Sequence, residues 1–114
     1  MRSINLYYIV FYLWLPLMAQ EDSLYVTVTG DTATFWHTQT HRNCGSLFVM
    51  DVAVDGYQVT VTEVDTGAYA YCHCYFDLSV TFGPLDPGEY TVEVFSTDSL
   101  YGTYWGTTSF TIGG

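Results

Sequence analysis

Residues 47–64 read LFVMDVAVDGYQVTVTEV, two apolar runs joined by an Asp-Gly pair. In Gln58–Val64 apolar and polar residues alternate, which is the period of a β-strand with one buried face. Leu47–Val54 is apolar on both faces except at Asp51, which predicts a central strand. Both central residues of a two-residue hairpin turn need a positive φ, which Asp-Gly readily adopts. The stretch therefore predicts a β-hairpin.

Five further runs on either side of this hairpin show the same alternation. They are Leu24–Val28, Thr32–His37, Cys74–Phe82, Tyr90–Val94 and Thr108–Ile112. The polar residues 38–46 predict a loop, and no segment has helical periodicity. Seven short strands separated by turn signals predict an all-β fold, a seven-stranded antiparallel β-sandwich of the immunoglobulin-like kind. An eight-stranded barrel is the alternative architecture.

The N-terminus has the layout of a secretory signal peptide. Ile4–Leu17 is a mostly apolar run, preceded by Arg2 and followed by the small residue Ala19. This predicts a signal-peptide helix over residues 1–19, and a secreted, periplasmic or extracellular domain over residues 20–114. The alternative is an uncleaved membrane anchor. A run of about 14 residues is short against the ~20 that span a bilayer, so we expect no stable membrane span after cleavage.

Charge and length exclude several classes of function. The 114 residues carry 12 acidic and two basic side chains, a formal charge of -10. Such a surface repels phosphate, so we expect no nucleic-acid partner and no docking on anionic lipid. The chain has room for one small domain, which excludes separate cofactor and substrate lobes. Arg42 is the only basic residue of the expected mature chain.

Residues 85–92, LDPGEYTV, form a recognisable corner. The stretch resembles the corner between strands E and F of fibronectin type III and other immunoglobulin-like domains. In that corner a leucine, a Pro-Gly turn and a tyrosine bonded to nearby backbone act together. The resemblance implies this structural role for Leu85, Pro87, Gly88 and Tyr90.

A second, weaker resemblance lies upstream. Residues 72–78, CHCYFDL, followed by Gly83-Pro84-Leu85, are similar to a pattern in small exported proteins of Bacteroidetes-type bacteria, including the NigD-like group. Many of those proteins carry a lipid-anchor cysteine that this chain lacks. The resemblance implies a bacterial, extracytoplasmic compartment and a fold, and almost no activity.

The chain contains three cysteines, Cys44, Cys72 and Cys74. In a seven-stranded sandwich, the second and fourth connections lie at the same end, so the three cysteines are expected to meet there. An oxidising compartment favours a disulfide from Cys44 to Cys72 or to Cys74, with the first pairing preferred. Cys74 has the register of an inward residue, so a buried free thiol is the alternative for it.

A metal centre is the functional alternative to the disulfide. Three sulfurs together with the imidazole of His41 suit tetrahedral Zn²⁺ or Cu(I). The spacing, His-x-x-Cys followed much later by Cys-x-Cys, departs from paired Cys-x-x-Cys knuckles. We therefore predict no metal and no cofactor. His37 and His41 are expected to be loop or edge residues.

Aromatic residues are concentrated in the connections at the same end. Tyr and Trp combine a large apolar face with a polar tip, which suits stacking on sugars or anchoring a protein. Packing of some of these rings on the core is the alternative. The predicted binding residues are Tyr69, Tyr71, Tyr101, Tyr104 and Trp105.

Catalysis has little support in the sequence. No nucleophile motif accompanies the three histidines. Glu63, Asp77 and Glu93 are expected to face outward from their strands, which offers no geometry for a carboxylate pair. We therefore predict a non-catalytic binding module for a glycan or protein partner at the cell surface. The alternatives are an assembly module that pairs through an edge strand and an extracytoplasmic metal-binding protein.

Overall fold

A computed structural model describes residues 2–6, 11–13, 22–98 and 100–113. Within these ranges the regular structure consists entirely of β-strands. They are β1 (Arg2–Leu6), β2 (Phe11–Leu13), β3 (Ser23–Thr29), β4 (Thr32–Asn43), β5 (Phe48–Asp55), β6 (Gln58–Asp65), β7 (His73–Phe82), β8 (Gly88–Ser96) and β9 (Tyr104–Ile112). The predicted all-β fold and its seven strands after residue 20 are confirmed.

The strands form two sheets. One has the order β1-β5-β6-β8-β9 and the other β2-β7-β4-β3. All pairs are antiparallel except β6 and β8, which run parallel. The prediction of an exclusively antiparallel fold is wrong at this pair. The chain leaves β6 for β7 in the other sheet and returns as β8, so two reversals bring β8 back beside β6 in the same direction.

Side chains from both sheets enclose one apolar core. Phe48 on β5 meets Phe76 on β7 with ring centroids 5.7 Å apart, and Phe82 on β7 meets Phe110 on β9 at 6.1 Å. In β6, Val59 and Val61 are fully buried while the intervening residues are partly exposed, as the alternation predicts. Burial of each such side chain contributes about 1.5–3 kcal/mol before the entropic cost of folding.

The corner at residues 85–90 is held by two buried side chains and a hydrogen bond to the backbone. Leu85 and Tyr90 are buried. The Tyr90 hydroxyl donates to the Asp86 carbonyl oxygen at 2.7 Å, and its ring stacks on Phe110 with centroids 5.0 Å apart. Gly88 has a φ of 149°, which a residue with a Cβ rarely adopts. This corner therefore holds the entry of β8 onto the core.

Two strands are longer than the sequence predicts. β4 continues from His37 to Asn43, through residues predicted as loop, and β9 begins at Tyr104 rather than at Thr108. The expected loop over residues 38–46 is thus wrong for residues 38–43. The error arises because this part of β4 places polar side chains, among them Arg42, on its buried face, so the alternation of apolar residues disappears.

Most of the predicted signal peptide lies outside the described residues. Its two described segments are extended: β1 pairs with β5, and β2 pairs with β7. The predicted signal-peptide helix is not confirmed, and the leader over residues 1–19 stays a prediction. If they are removed, β5 and β7 become the outer strands of their sheets.

Candidate functional site

A β-bulge in β4 changes which side chains face the core. His37 lies opposite Leu78 and Thr40 lies opposite Phe76, so β4 has one residue more than β7 across this interval. Gln39 within the bulge has a φ of 59°, a conformation uncommon outside glycine. An extra residue reverses the inside-outside alternation of a strand.

The reversal places a cation in the interior. Ala33, Phe35 and His37 are buried before the bulge, all at odd positions, whereas Arg42 is fully buried after it and His41 is exposed. Without the bulge, the same alternation would bury His41 and expose Arg42. The bulge therefore brings the only basic residue after position 20 into the core.

Arg42 belongs to a chain of buried charged and polar groups. Its Nη2 donates to Glu63 Oε1, and the other Glu63 oxygen is hydrogen-bonded to His37 Nδ1. His37 Nε2 lies 2.8 Å from Asp22 Oδ2. Arg42, Glu63 and His37 are each 0% exposed. Buried charges carry a large desolvation cost, which their mutual pairing offsets here.

The rest of the guanidinium is held by two rings and two hydroxyls. It lies 4.3 Å from the centroid of Trp105 and 4.9 Å from that of Phe48. Its Nε donates to Thr40 Oγ1 at 3.0 Å, and its Nη1 donates to Ser96 Oγ at 3.4 Å. Planar stacking and forked donation are properties of arginine that lysine lacks, so the site is specific for this side chain.

These contacts correct three expectations. Glu63 is buried rather than outward-facing, and His37 is a core residue rather than a loop or edge residue. Trp105 lies on β9 and packs against the core, where its ring covers Arg42. It does not belong with the exposed tyrosines. Because the whole Arg42–Glu63–His37 cluster is closed to solvent, we assign it a structural role.

The three cysteines meet, as predicted. Their sulfurs lie within 4.8 Å of one another. The Cα atom of Cys44 lies 5.5 Å from that of Cys72 and 5.0 Å from that of Cys74. A sulfur forms one disulfide bond at a time, so Cys44–Cys72 and Cys44–Cys74 are alternatives. Both Cα separations lie in the usual disulfide range.

The alternative metal site lacks a fourth protein ligand among the described residues. Among the described residues, the group of potential ligand atoms around the sulfurs contains Cys44, Cys72 and Cys74 alone. His41 instead packs against Tyr75, with ring centroids 5.1 Å apart, and against His73 at 5.0 Å. A tetrahedral Cys₃His site needs an imidazole nitrogen beside the sulfurs, and the residues do not fit that set.

A groove of about 270 Å³ has Asn43, the residue before Cys44, in its lining. Tyr69 and Tyr101 line it, and so do the acidic residues Asp65 and Asp98. The remaining lining residues are Asn43, Ser46, Gly67, Ala68, Thr97 and Leu100. The groove lies at the end of the domain formed by the connections after β4, β6 and β8, where the sequence predicts the binding surface.

Internal hydrogen bonds fix the groove walls. Asp65 Oδ1 accepts from the Leu47 and Gly67 amides, and Asp65 Oδ2 accepts from Ser46 Oγ at 2.6 Å. The Asn43 side chain donates to the Ala70 carbonyl and accepts from the Ala70 amide. A rigid wall lowers the entropic cost of binding.

The predicted aromatic residues differ in how far they are available. Tyr69 is 65% exposed and Tyr71 is 98% exposed, and their rings meet edge to face at 5.5 Å. Tyr101 is half-buried, and its hydroxyl is hydrogen-bonded to His73 Nδ1. Tyr104 lies on β9 against Phe95, at a centroid distance of 5.3 Å, rather than on the groove wall. Tyr69 and Tyr101 are therefore the rings available to a ligand in the groove.

Two ionisable groups near the groove have shifted pKa values. Partial desolvation by the neighbouring rings lowers the pKa of the exposed His41 below its ordinary 6.5, and the nearby His73 lowers it further. Burial also raises the pKa of the Tyr101 hydroxyl, as do Tyr69 and Asp98, against an opposing hydrogen bond with Asn43. At neutral pH the Tyr101 hydroxyl therefore keeps its proton.

The His41 shift predicts a loss of stability in mild acid. The folded protein disfavours the charged ring, so the contribution of His41 is complete above the unfolded pKa of 6.5 and is lost as the pH falls below it. We expect the urea midpoint of the wild type to fall between about pH 7.5 and about pH 5.5, and to fall less in His41→Asn. His73→Asn removes only the secondary cause and should keep most of the slope. Equal slopes in wild type and His41→Asn would contradict the assignment.

One feature of the sequence indicates the buried Arg42–Glu63 pair. Glu63 continues the series of Val59 and Val61 at every second position, and this register places it inward. An inward carboxylate requires a partner, and Arg42 is the only lysine or arginine after residue 20. These two observations together would have indicated the pair, although not the bulge that makes it.

Compared with protein-family models, curated proteins and solved structures, the chain matches none of them. The part of the chain that the structure describes has no helix long and apolar enough to cross a bilayer.

Proposed function

We propose that this chain is a secreted, non-catalytic binding module that holds a neutral glycan in the groove at its cysteine-bearing end. The single observation that carries the proposal is the groove itself, in which the exposed ring of Tyr69 and the half-buried ring of Tyr101 stand beside carboxylates and amides on a rigid wall. Sugar recognition combines an apolar surface for the ring with hydrogen-bonding groups for the hydroxyls. The proposal includes the immunoglobulin-like identity of the domain and the cleavage of residues 1–19.

Charge supports a neutral rather than an acidic ligand. All 12 acidic residues lie after position 20, and the one arginine there is buried and paired. The described surface after residue 21 therefore offers carboxylates and no lysine or arginine. An anionic polysaccharide would meet repulsion, and a ligand with a phosphate or sulfate would find no cationic partner.

The ring of Tyr69 gives the sharpest test of the groove. In Tyr69→Ala, the loss of a stacking surface should weaken glycan binding about tenfold or more, or ~1.4 kcal/mol and above, while the melting temperature stays near that of the wild type. A glycan array with the mature domain selects the neutral oligosaccharide, and isothermal titration calorimetry measures its affinity.

Tyr57→Ala is the matched control for this experiment. Tyr57 is also an exposed tyrosine, but it lies in the β5–β6 turn at the opposite end of the domain. Its removal should leave glycan affinity unchanged. A glycan array on which the domain binds no neutral glycan would overturn the proposal. Equal losses of glycan affinity in Tyr69→Ala and Tyr57→Ala would also overturn it. Light scattering of the same samples would detect the alternative role, self-association through β5 and β7 as open edges.

A further inference from the structure

The cysteine cluster contains three sulfurs, those of Cys44, Cys72 and Cys74, which lie within 4.8 Å of one another. A disulfide uses two of the three, so one sulfur always stands beside a bridge that it contacts or can replace. The backbone accommodates either bridge, because both Cα separations from Cys44 are suitable. Cys44 is also tied to this place by its amide, which donates to the Cys72 carbonyl oxygen at 3.1 Å.

The two outer members of the cluster differ in exposure. Cys72 is exposed and precedes β7, whereas Cys74 is only 2% exposed and lies opposite Arg42 in the strand register. With a Cys44–Cys74 bridge, the remaining thiol is at the surface. With a Cys44–Cys72 bridge, the remaining thiol is inside the core. The choice of bridge therefore decides whether the protein presents a reactive thiol, since access controls thiol reactivity.

We propose that Cys44, Cys72 and Cys74 form a thiol–disulfide exchange site that switches an external thiol on and off. In the internal step the Cys72 thiolate attacks Cys44 Sγ, the Cys44–Cys74 bond breaks, and a Cys44–Cys72 bond forms. Cys74 leaves as a thiolate and takes up the proton that Cys72 lost. The step is redox-neutral and needs no external oxidant, and it runs in both directions.

The ligand class of this site is a small-molecule or protein disulfide. While Cys44 and Cys74 are bridged, the Cys72 thiolate attacks one sulfur of R–S–S–R, forms Cys72–S–S–R and releases R–S⁻. The Cys44–Cys74 bridge is retained, so the fold keeps its covalent link during the reaction. This inference is independent of glycan binding.

The first experiment traps the bridges and locates the free thiol. Wild-type protein purified without reductant is quenched in acid, unfolded and alkylated, and tandem mass spectrometry identifies the alkylated cysteine. We expect a mixture of chains alkylated at Cys72 and chains alkylated at Cys74. Native protein incubated with excess alkylating reagent at neutral pH should instead become fully alkylated at Cys72, because exchange converts the buried form as the exposed form is consumed.

Two outcomes of this experiment would overturn the proposal. One is a single pairing in the quenched sample. The other is native alkylation that stops with a fixed fraction of Cys74 thiol still protected, since that result describes a static mixture. Cys72→Ser and Cys74→Ser serve as controls, because each has one fixed bridge and no thiol left to react in either the native or the unfolded state.

The second experiment uses oxidised glutathione as the external disulfide. Native wild-type protein should gain one glutathione per chain, located at Cys72, and the rate should rise with pH because the thiolate is the nucleophile. Neither Cys72→Ser nor Cys74→Ser should react. An adduct at Cys74, or no adduct on native wild-type protein, would contradict the assignment of Cys72 as the external thiol.

Discussion

Replacing Arg42 with methionine is expected to lower the free energy of unfolding by about 3–5 kcal/mol, the cost of leaving a buried charge without its partner. Methionine approximates the length of the arginine stem, so the space between Trp105 and Phe48 stays largely filled. The Glu63 carboxylate, 0% exposed, then loses the guanidinium that offsets its desolvation. Urea denaturation followed by tryptophan fluorescence measures the change.

A second substitution separates charge from packing. In Arg42→Met/Glu63→Gln the carboxylate is gone, and the amide oxygen still accepts from His37. The double variant should therefore be more stable than Arg42→Met alone, with a coupling energy of about 0.5–3 kcal/mol. Glu89→Gln, which removes an exposed carboxylate on β8, should change stability by no more than ~0.5 kcal/mol. Additive effects of the two core substitutions would show that Arg42 acts through packing alone.

Removing Cys44 is expected to destabilise the protein far more than removing either of its partners. Cys44 takes part in both alternative bridges, which span 28 and 30 residues. Cys44→Ser eliminates both and should cost about 2–5 kcal/mol, the usual loss for a disulfide of a small exported domain. Cys72→Ser keeps the bridge to Cys74, and Cys74→Ser keeps the bridge to Cys72, so each should retain most of the stability.

Thermal unfolding with and without reductant checks this order. Reductant should lower the melting temperatures of the wild type, Cys72→Ser and Cys74→Ser to that of Cys44→Ser. It should leave the melting temperature of Cys44→Ser unchanged. If the three serine variants lose equal stability, or if reductant has no effect on the wild type, Cys44 is not the shared partner.

Much of the fold follows from local pattern. The β5–β6 hairpin, the inward series of β7 and the contact of Tyr90 with nearby backbone were predictable, because each depends on residues close in sequence. The turn of the hairpin was placed wrongly: its central residues are Gly56 and Tyr57, and Gly56 alone has a positive φ. The meeting of the cysteines was predictable from the parity of the connections. The parallel β6–β8 pair was not, since it depends on which sheet β7 enters.

The candidate site was only partly predictable. Tyr69 and Tyr101 line one groove, because connections at one end of the domain form one surface. The packing of Trp105 against the core could not be inferred, because it depends on contact with the Arg42 guanidinium, which belongs to the other sheet. Aromatic residues look alike in sequence whether they cover a core or contact a ligand.

The sequence by itself determined the strands with their alternating faces and the turns between them. It also determined the strongly acidic surface and the positions of the three cysteines, in the connections between strands or at their borders. Only the tertiary structure decided that Arg42 lies inside and His41 outside. The physical reason is a single extra residue in β4, which reverses the alternation after His37. That reversal is stable because Glu63, inward on the facing sheet, is the partner that a buried guanidinium requires.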